Sequence, residues 1–305
     1  MFFPISGVHI DPLVLGILGL VIGILGGFFG VGGSFLSGPS LFSLGMPYNF
    51  VVGTDLIHIV GKSIVAARQH RMLGNIDLKL AAVMVIGTLV GSETGVDAIE
   101  GLKRFGEVNL VVGLTAIVMF TGTSVFGAWE SWQSWRALKK SGPADADGNE
   151  KKDVLAFDRI AKLFQSLPLP PRIELRQSGV ARISIWSIVL VSYIGGFFSG
   201  FLGGGAGYIR MPAMVYLLGI PTHIAVGTDL FEIIISAGYG AIRHAMNGNV
   251  DILVALVMHT GAAVGAQLGA RLTQYFSGPW IRLAFAPLPL LGAIMVAVAL
   301  FTHHH

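Results

Sequence analysis

GTDLIHIVGKSIVAARQHRMLGNID at residues 53–77 returns as GTDLFEIIISAGYGAIRHAMNGNVD at residues 227–251. Extended to 53–95 against 227–269, the match runs without gaps at a shift of 174, with 18 identities in 43 positions. The identities are not confined to apolar residues. They include Gly53–Leu56 with Gly227–Leu230, His70 with His244, Gly74–Asn75 with Gly248–Asn249, and Asp77 with Asp251. Upstream, GGFF at 26 recurs at 195, and the glycine turn GVGGS at 30 resembles GGGAG at 203. Pro39 then pairs with Pro212, and Pro47 with Pro221. The chain therefore reads as one architecture written twice.

Composition gives that architecture its solvent. Of the 305 residues, 53% are hydrophobic and 12% charged, with mean hydropathy +0.72. Soluble domains carry about a quarter charged residues. No charge at all occurs from Pro12 to Thr54. These figures exclude a soluble domain and a disordered chain and point to a multi-span membrane protein. The 42 glycines suit close helix packing in lipid, and the absence of cysteine removes thiolate metal sites and a thiol nucleophile. Net charge of +3 suggests cytoplasmic basic loops, not a nucleic-acid partner. The start, Met1 to Asp11, lacks the basic n-region of a signal peptide, so the first apolar run is expected to remain a span. His303, His304 and His305 read as a tag remnant.

The expected fold class is all-α: a polytopic transmembrane helical protein of two pseudo-symmetric repeats, inverted because each half has an odd number of segments. Apolar segments begin near residues 12, 34, 50, 77 and 106, and again near 183, 206, 222, 250 and 280. The second segment of each half is short, follows glycines and holds a proline, as a broken or re-entrant helix does. Residues 1–129 form the first repeat, 130–182 a charged cytoplasmic loop, and 183–302 the second repeat. The loop holds 17 charged residues, ten of them basic. Within it Leu155, Ile160, Leu163, Phe164 and Leu167 fall at helical spacing, giving an amphipathic helix that lies on the membrane or packs on other loops. Trp129, Trp132 and Trp135 suit an interfacial belt.

Two constellations bear chemistry. The first is the pair of glycine turns, Gly30, Gly32, Gly33 and Ser34 with Gly203, Gly204, Gly205 and Gly207. Unwound backbone in a bilayer lines a cavity or lies within protein, and a helix starting there aims its positive end at an anion. The bland reading is close packing through small residues. The second is the GTDL helices. Asp55, His58 and Lys62 share one helical face, and Asp229, Glu232 and Ser236 take the equivalent places. Ionisable groups inside spans are costly and default to function. Asp55 and Lys62 are spaced to neutralise each other, while Thr54–Asp55 and Thr228–Asp229 also read as helix N-caps. Arg210 stands where the first half has Ser37, placed to fork onto an oxyanion or to snorkel to a headgroup. Glu93, opposite Gln267, is a further polar residue within a span, and His259 reads as a helix–helix contact. No HExxH, GxSxG or Walker A pattern occurs, so no catalytic residue, cofactor or resident metal is expected.

The paired glycine turns with a downstream proline, the GTD motif and the G-N-[IV]-D start of the next span resemble the TauE/SafE family of membrane transporters, the sulfite exporters. The resemblance covers residues 12–302 apart from the 130–182 loop, which departs from the compact form of that family. It implies a permease in the inner (plasma) membrane that moves sulfur oxyanions or organosulfonates such as sulfite or sulfoacetate. On that reading Gly32, Gly33, Ser34, Thr54, Lys62, Gly204, Gly205, Arg210 and Thr228 hold the anion. Asp55, His58, Asp229 and Glu232 exchange protons. The expected partners are a small anionic substrate and the lipid bilayer, with no oligomer indicated. Two alternatives use the same sequence differently: a cation carrier or channel on the intramembrane carboxylates, or a membrane sensor working through residues 130–182.

Overall fold

The computed structural model describes residues 1–106, 108–140, 158–166 and 168–303. The first half is built from α1 (Pro12–Phe29), α2 (Ser34–Ser43), α3 (Tyr48–Met72), α4 (Leu78–Phe105) and α5 (Val108–Lys140). A short α6 (Asp158–Ser166) follows. The second half contains α7 (Ile185–Leu202), α8 (Gly207–Tyr216), α9 (Thr222–Met246), α10 (Ile252–Leu272), α11 (Gly278–Phe285) and α12 (Leu288–His303). Among the described residues, eight stretches are long and apolar enough to cross a membrane. The short second segments are not among them. At 1.5 Å per residue, the ten residues of α2 and of α8 reach about half of a hydrocarbon core roughly 30 Å thick.

The all-α expectation needs correction at the surface: the chain is mostly helical, with two small antiparallel hairpins. One pairs β1 (Phe2–Phe3) with β2 (Val8–His9), the other β3 (Arg172–Leu175) with β4 (Val180–Ser184). The last segment is also broken, into α11 and α12, with Pro287 at the join, where its ring denies the chain a helical hydrogen bond. The boundary expected at residue 129 falls inside α5, which continues to Lys140. In α6, Gln165 donates to the Leu218 carbonyl at 2.9 Å, so this helix rests on the turn between α8 and α9. Leu155 and Leu167 of the expected amphipathic stretch, and the side chains of Ile160 and Trp135, lie outside the described residues.

Glycine decides which helices touch. Gly19, Gly23 and Gly27 of α1 sit on the backbone of Met258, Ala262 and Ala266 of α10, and Gly261, Gly265 and Gly269 return the contact on Gly16, Leu20 and Ile24. Gly87, Gly91 and Gly95 of α4 meet Val189, Tyr193 and Phe197 of α7 in the same way. Residue numbers rise together in both interfaces, so each pair runs parallel. The GxxxG runs are packing faces, where small residues allow backbones to approach in the absence of a hydrophobic drive between helices.

The two GTDL helices run the other way. Gly53 near the start of α3 packs on the Asn249 carbonyl beyond the end of α9, and Gly227 packs on the Asn75 carbonyl beyond the end of α3. Thr54 Oγ1 accepts the Asp251 amide at 2.9 Å, and Thr228 Oγ1 accepts the Asp77 amide at 3.0 Å. His70 and His244 reach the carbonyls of Gly27 and Gly200 at 3.1 and 3.0 Å. These reciprocal ties fix α3 and α9 antiparallel through the middle of the bundle. They also show which aspartates cap helices. Asp77 accepts the amides of Lys79 and Leu80, and Asp251 those of Leu253 and Val254. Asp55 and Asp229 do not: α3 and α9 begin seven residues earlier, after Pro47 and Pro221. Both lie two turns inside their helices.

Candidate functional site

The glycine turns meet where α3 and α9 cross. Gly30, Gly32, Gly33, Gly203, Gly204 and Gly205 have φ between 68° and 81°, a region in which a side chain is strained and glycine is not. A Cβ on Gly32 would lie 3.3 Å from the Gly204 carbonyl oxygen and 3.6 Å from Ile59 of α3. Gly30 abuts Val226 of α9, and Gly203 abuts Val52 of α3, the residue aligned with Val226. The turns therefore converge on the central helices as expected, and α2 and α8 both start from this meeting point. Ser34 opens α2; its side chain lies outside the described part of the structure.

The second-half turn is already supplied with charge. Arg210, two residues beyond Tyr208 on α8, is fully buried and does not snorkel. Its stem fills the space that Gly195 leaves open on α7. Its Nε donates to Asp229 Oδ1 at 2.7 Å, and its Nη1 lies 2.6 Å from Glu232 Oε2 as a close ion pair. Ser236 Oγ, 3.2 Å away, donates to the same Glu232 oxygen. Asp229 Oδ2 stands beside Gly207, the first residue of α8. A protein carboxylate thus occupies the positive end of this half-helix. Three buried charges, one positive and two negative, form a cluster in which Arg210 Nη2, Asp229 Oδ2 and Glu232 Oε1 have no hydrogen-bond partner.

The first-half face is arranged differently. Asp55 Oδ1 lies 3.5 Å from His58 Nδ1, and both side chains are buried. Lys62 Nζ, 1% exposed as a residue, has no hydrogen-bond partner among the described residues. The expected Asp55–Lys62 pairing is replaced by Asp55–His58, with Lys62 in the electrostatic field of Asp55, His58 and His259 but bonded to none. His259, from α10, stacks its ring against the bare backbone at Gly61. Among the described residues, unpartnered hydroxyls are also buried on Ser37 of α2, Tyr48 of α3 and Tyr208 of α8, the last in the field of Asp55 and Tyr48. Sequence reading omitted these three. Ser37 was visible as the position aligned with Arg210, and Tyr208 as the residue following the second turn, whereas nothing in the sequence marked Tyr48. Thr54 and Thr228 are in place between the halves, with their oxygens already accepting backbone amides.

Other charges within the helices are paired, some buried and some half-buried. Glu93 takes a forked contact from Arg243, at 2.7 Å on each oxygen, together with the Tyr239 hydroxyl at 2.6 Å, joining α4 to α9. Glu130 of α5 accepts the Tyr216 hydroxyl at 2.7 Å, and Arg282 of α11 reaches both Glu130 and Thr222.

This arrangement can be set beside known proteins. The chain is 34% identical over 115 residues to the probable membrane transporter protein YdhB of Bacillus subtilis (strain 168), covering 37% of this chain and 46% of that one. It is 35% identical over 86 residues to the probable membrane transporter protein YunE of the same organism, covering 28% and 32%. The matched stretch thus spans less than half of either relative. A longer likeness, 24% over 257 residues, covers 84% of this chain and 88% of the probable membrane transporter protein YjnA of that bacterium. No solved structure matches. The chain is a multi-pass membrane protein, and the family it matches is one of transporters, not enzymes. With the match to "Sulfite exporter TauE/SafE" running from residue 15 to 296, nearly the whole bundle described above, the chain belongs to the TauE/SafE family.

Proposed function

We propose that this protein is a secondary transporter that moves a small anion, a sulfur oxyanion or an organosulfonate of the sulfite and sulfoacetate class, across the plasma membrane with protons. One observation carries the reading: the buried Lys62 ammonium has no hydrogen-bond partner among the described residues. A lysine at mid-span costs about 2.5–3.5 kcal/mol on insertion scales, and an unpaired one is retained for a ligand that completes it. His58 lies in the electrostatic field of Lys62, and Ser37, Tyr48 and Tyr208 bury further hydroxyls that have no hydrogen-bond partner among the described residues. Several donors and one cation suit an oxyanion that must bind and then leave. The backbone at Gly32, Gly33 and Ser34 and at Gly204 and Gly205, with Thr54, Thr228 and Arg210, completes the binding set. Asp55, His58, Asp229 and Glu232 are the proton carriers.

The two halves, 1–129 and 183–302, act as inverted repeats. The antiparallel run of the equivalent helices α3 and α9 supports this, because only a twofold axis in the membrane plane relates two such helices. Alternating exposure then arises as one repeat rocks on the other. Residues 130–182, rich in basic side chains, lie on the cytoplasmic side. The cation-carrier reading is weaker, because Arg210 already engages both second-half carboxylates. The test is flux in proteoliposomes under a sulfite, sulfate, thiosulfate, sulfoacetate, acetate and chloride series, comparing the wild type with Lys62→Ala. Saturable flux of a sulfur anion that the substitution removes supports the proposal. Flux of a cation that depends on Asp229 and Glu232 contradicts it.

A further inference from the structure

We propose that Arg210 is a second anion station, closed by its own carboxylates and opened by one proton on Glu232. The inference rests on the anion-transport reading above and adds the means by which proton and anion are coupled. Arg210 is the second-half cation, yet its Nε and Nη1 are held by Asp229 and Glu232 at 2.7 and 2.6 Å. A carboxylate and a sulfonate present the same oxygens to a guanidinium fork, so the acids stand in for the cargo. An anion added to the cluster as it is would meet two negative groups and one positive group, all fully buried. With a proton on Glu232 the cluster becomes neutral, Nη1 is released, and Nη1 and Nη2 turn to the anion. Loading the anion then requires loading the proton, and losing one expels the other, as thermodynamic linkage demands.

Glu232 is chosen over Asp229 on geometry. Asp229 takes a hydrogen bond from Arg210 Nε, and its other oxygen, at the start of α8, has no hydroxyl beside it to serve a protonated form. Glu232 meets Arg210 in a close ion pair and has Ser236 as its other partner. A hydroxyl serves both states: it donates to the carboxylate and accepts from the acid. The first half lacks this device, since Ser37 replaces Arg210, His58 replaces Glu232 and Lys62 replaces Ser236. Among the described residues, the charged and titratable groups on the elements packed against α9 are Arg210 and Tyr208 from α8; Glu93 and Asp97 from α4, both on Arg243, with Glu100 and Lys103 near His244; Asp55, His58 and Lys62 from α3, with His70 near His223; and Arg282 from α11, on Thr222. Of α1 and α7 neither carries a charged side chain, and Tyr193 is the titratable group of α7.

The experiment counts protons on the purified full chain in weakly buffered detergent. Sulfoacetate and methanesulfonate are the probes, because neither changes charge near neutral pH. Binding is followed by calorimetry and proton uptake by a pH dye. Wild type is expected to take up about one proton per anion bound, with affinity falling about tenfold per pH unit on the alkaline side. Glu232→Gln is expected to bind without uptake and to lose the pH dependence. Should that variant not fold, Glu232→Asp, which withdraws the carboxylate from Nη1, is expected to bind more tightly than wild type at alkaline pH. Binding by wild type without proton uptake, or uptake that persists in Glu232→Gln, overturns the inference and leaves anion transport standing. Absence of binding of either sulfonate to folded wild type overturns the anion reading beneath it.

Discussion

At the residue scale, the same helical face carries opposite solutions in the two halves. Asp229 and Glu232 both engage Arg210, whereas Lys62 is left without a hydrogen bond among the described residues. Charge-assisted hydrogen bonds contribute about 1.5–3 kcal/mol, so Lys62→Ala is expected to weaken anion binding by about ten- to a hundredfold; calorimetric titration measures it. The threonines of the two GTDL motifs act on stability first. Thr54→Val or Thr228→Val leaves a buried backbone amide, of Asp251 or Asp77, without its acceptor. Each is expected to cost about 1–3 kcal/mol, read as a lower unfolding temperature. The charged members of this site were legible in the sequence because an ionisable residue in an apolar run has few reasons to exist. Their pairing was not: Arg210 and Asp229 are 19 residues apart, and only the fold of α8 against α9 brings them together.

At the scale of elements, glycine spacing told most of the story. The glycines at 87, 91 and 95 and at 261, 265 and 269, spaced four apart, are packing faces, on α7 and α1. Gly91→Leu or Gly265→Leu drives a side chain into the Tyr193 or Leu20 backbone. Overpacking of this kind costs about 1–3 kcal/mol, and rigid backbone on the far side leaves little room to relax. We expect lower melting temperatures for both, with Gly74→Ala, which meets nothing within 4 Å, losing less despite its positive φ. Helix starts were harder to place. Thr–Asp inside α3 and α9 resembles a cap, but these helices begin after Pro47 and Pro221 with no side-chain cap, and the capping aspartates are Asp77 on α4 and Asp251 on α10.

At the scale of the whole molecule, contacts sort the surface into two sides. The turn after α3 meets the β3–β4 hairpin through Gln177 on the Gly74 carbonyl and Ser178 on Asp77. The turn after α9 meets the N-terminal hairpin through Ser6 on Asp251. The chain has no cysteine, so single introduced thiols report sidedness cleanly. In intact cells an impermeant thiol reagent is expected to label Ile5→Cys and to spare Arg176→Cys until the membrane is opened. Labelling of both from outside contradicts the proposed orientation. Residues 141–157 lie outside the described structure, and their deletion is expected to leave flux, as a transporter requires and a sensor does not.

The central claim is that Lys62 holds a transported sulfur anion. The most direct measurement is the transient current of proteoliposomes on a solid-supported membrane, with an internal pH dye read in parallel, on switching to sulfite or sulfoacetate. The account predicts a saturable signal in wild type that falls on the order of tenfold or more in folded Lys62→Ala. An undiminished signal in that variant, or silence of both readouts in folded wild type, contradicts it.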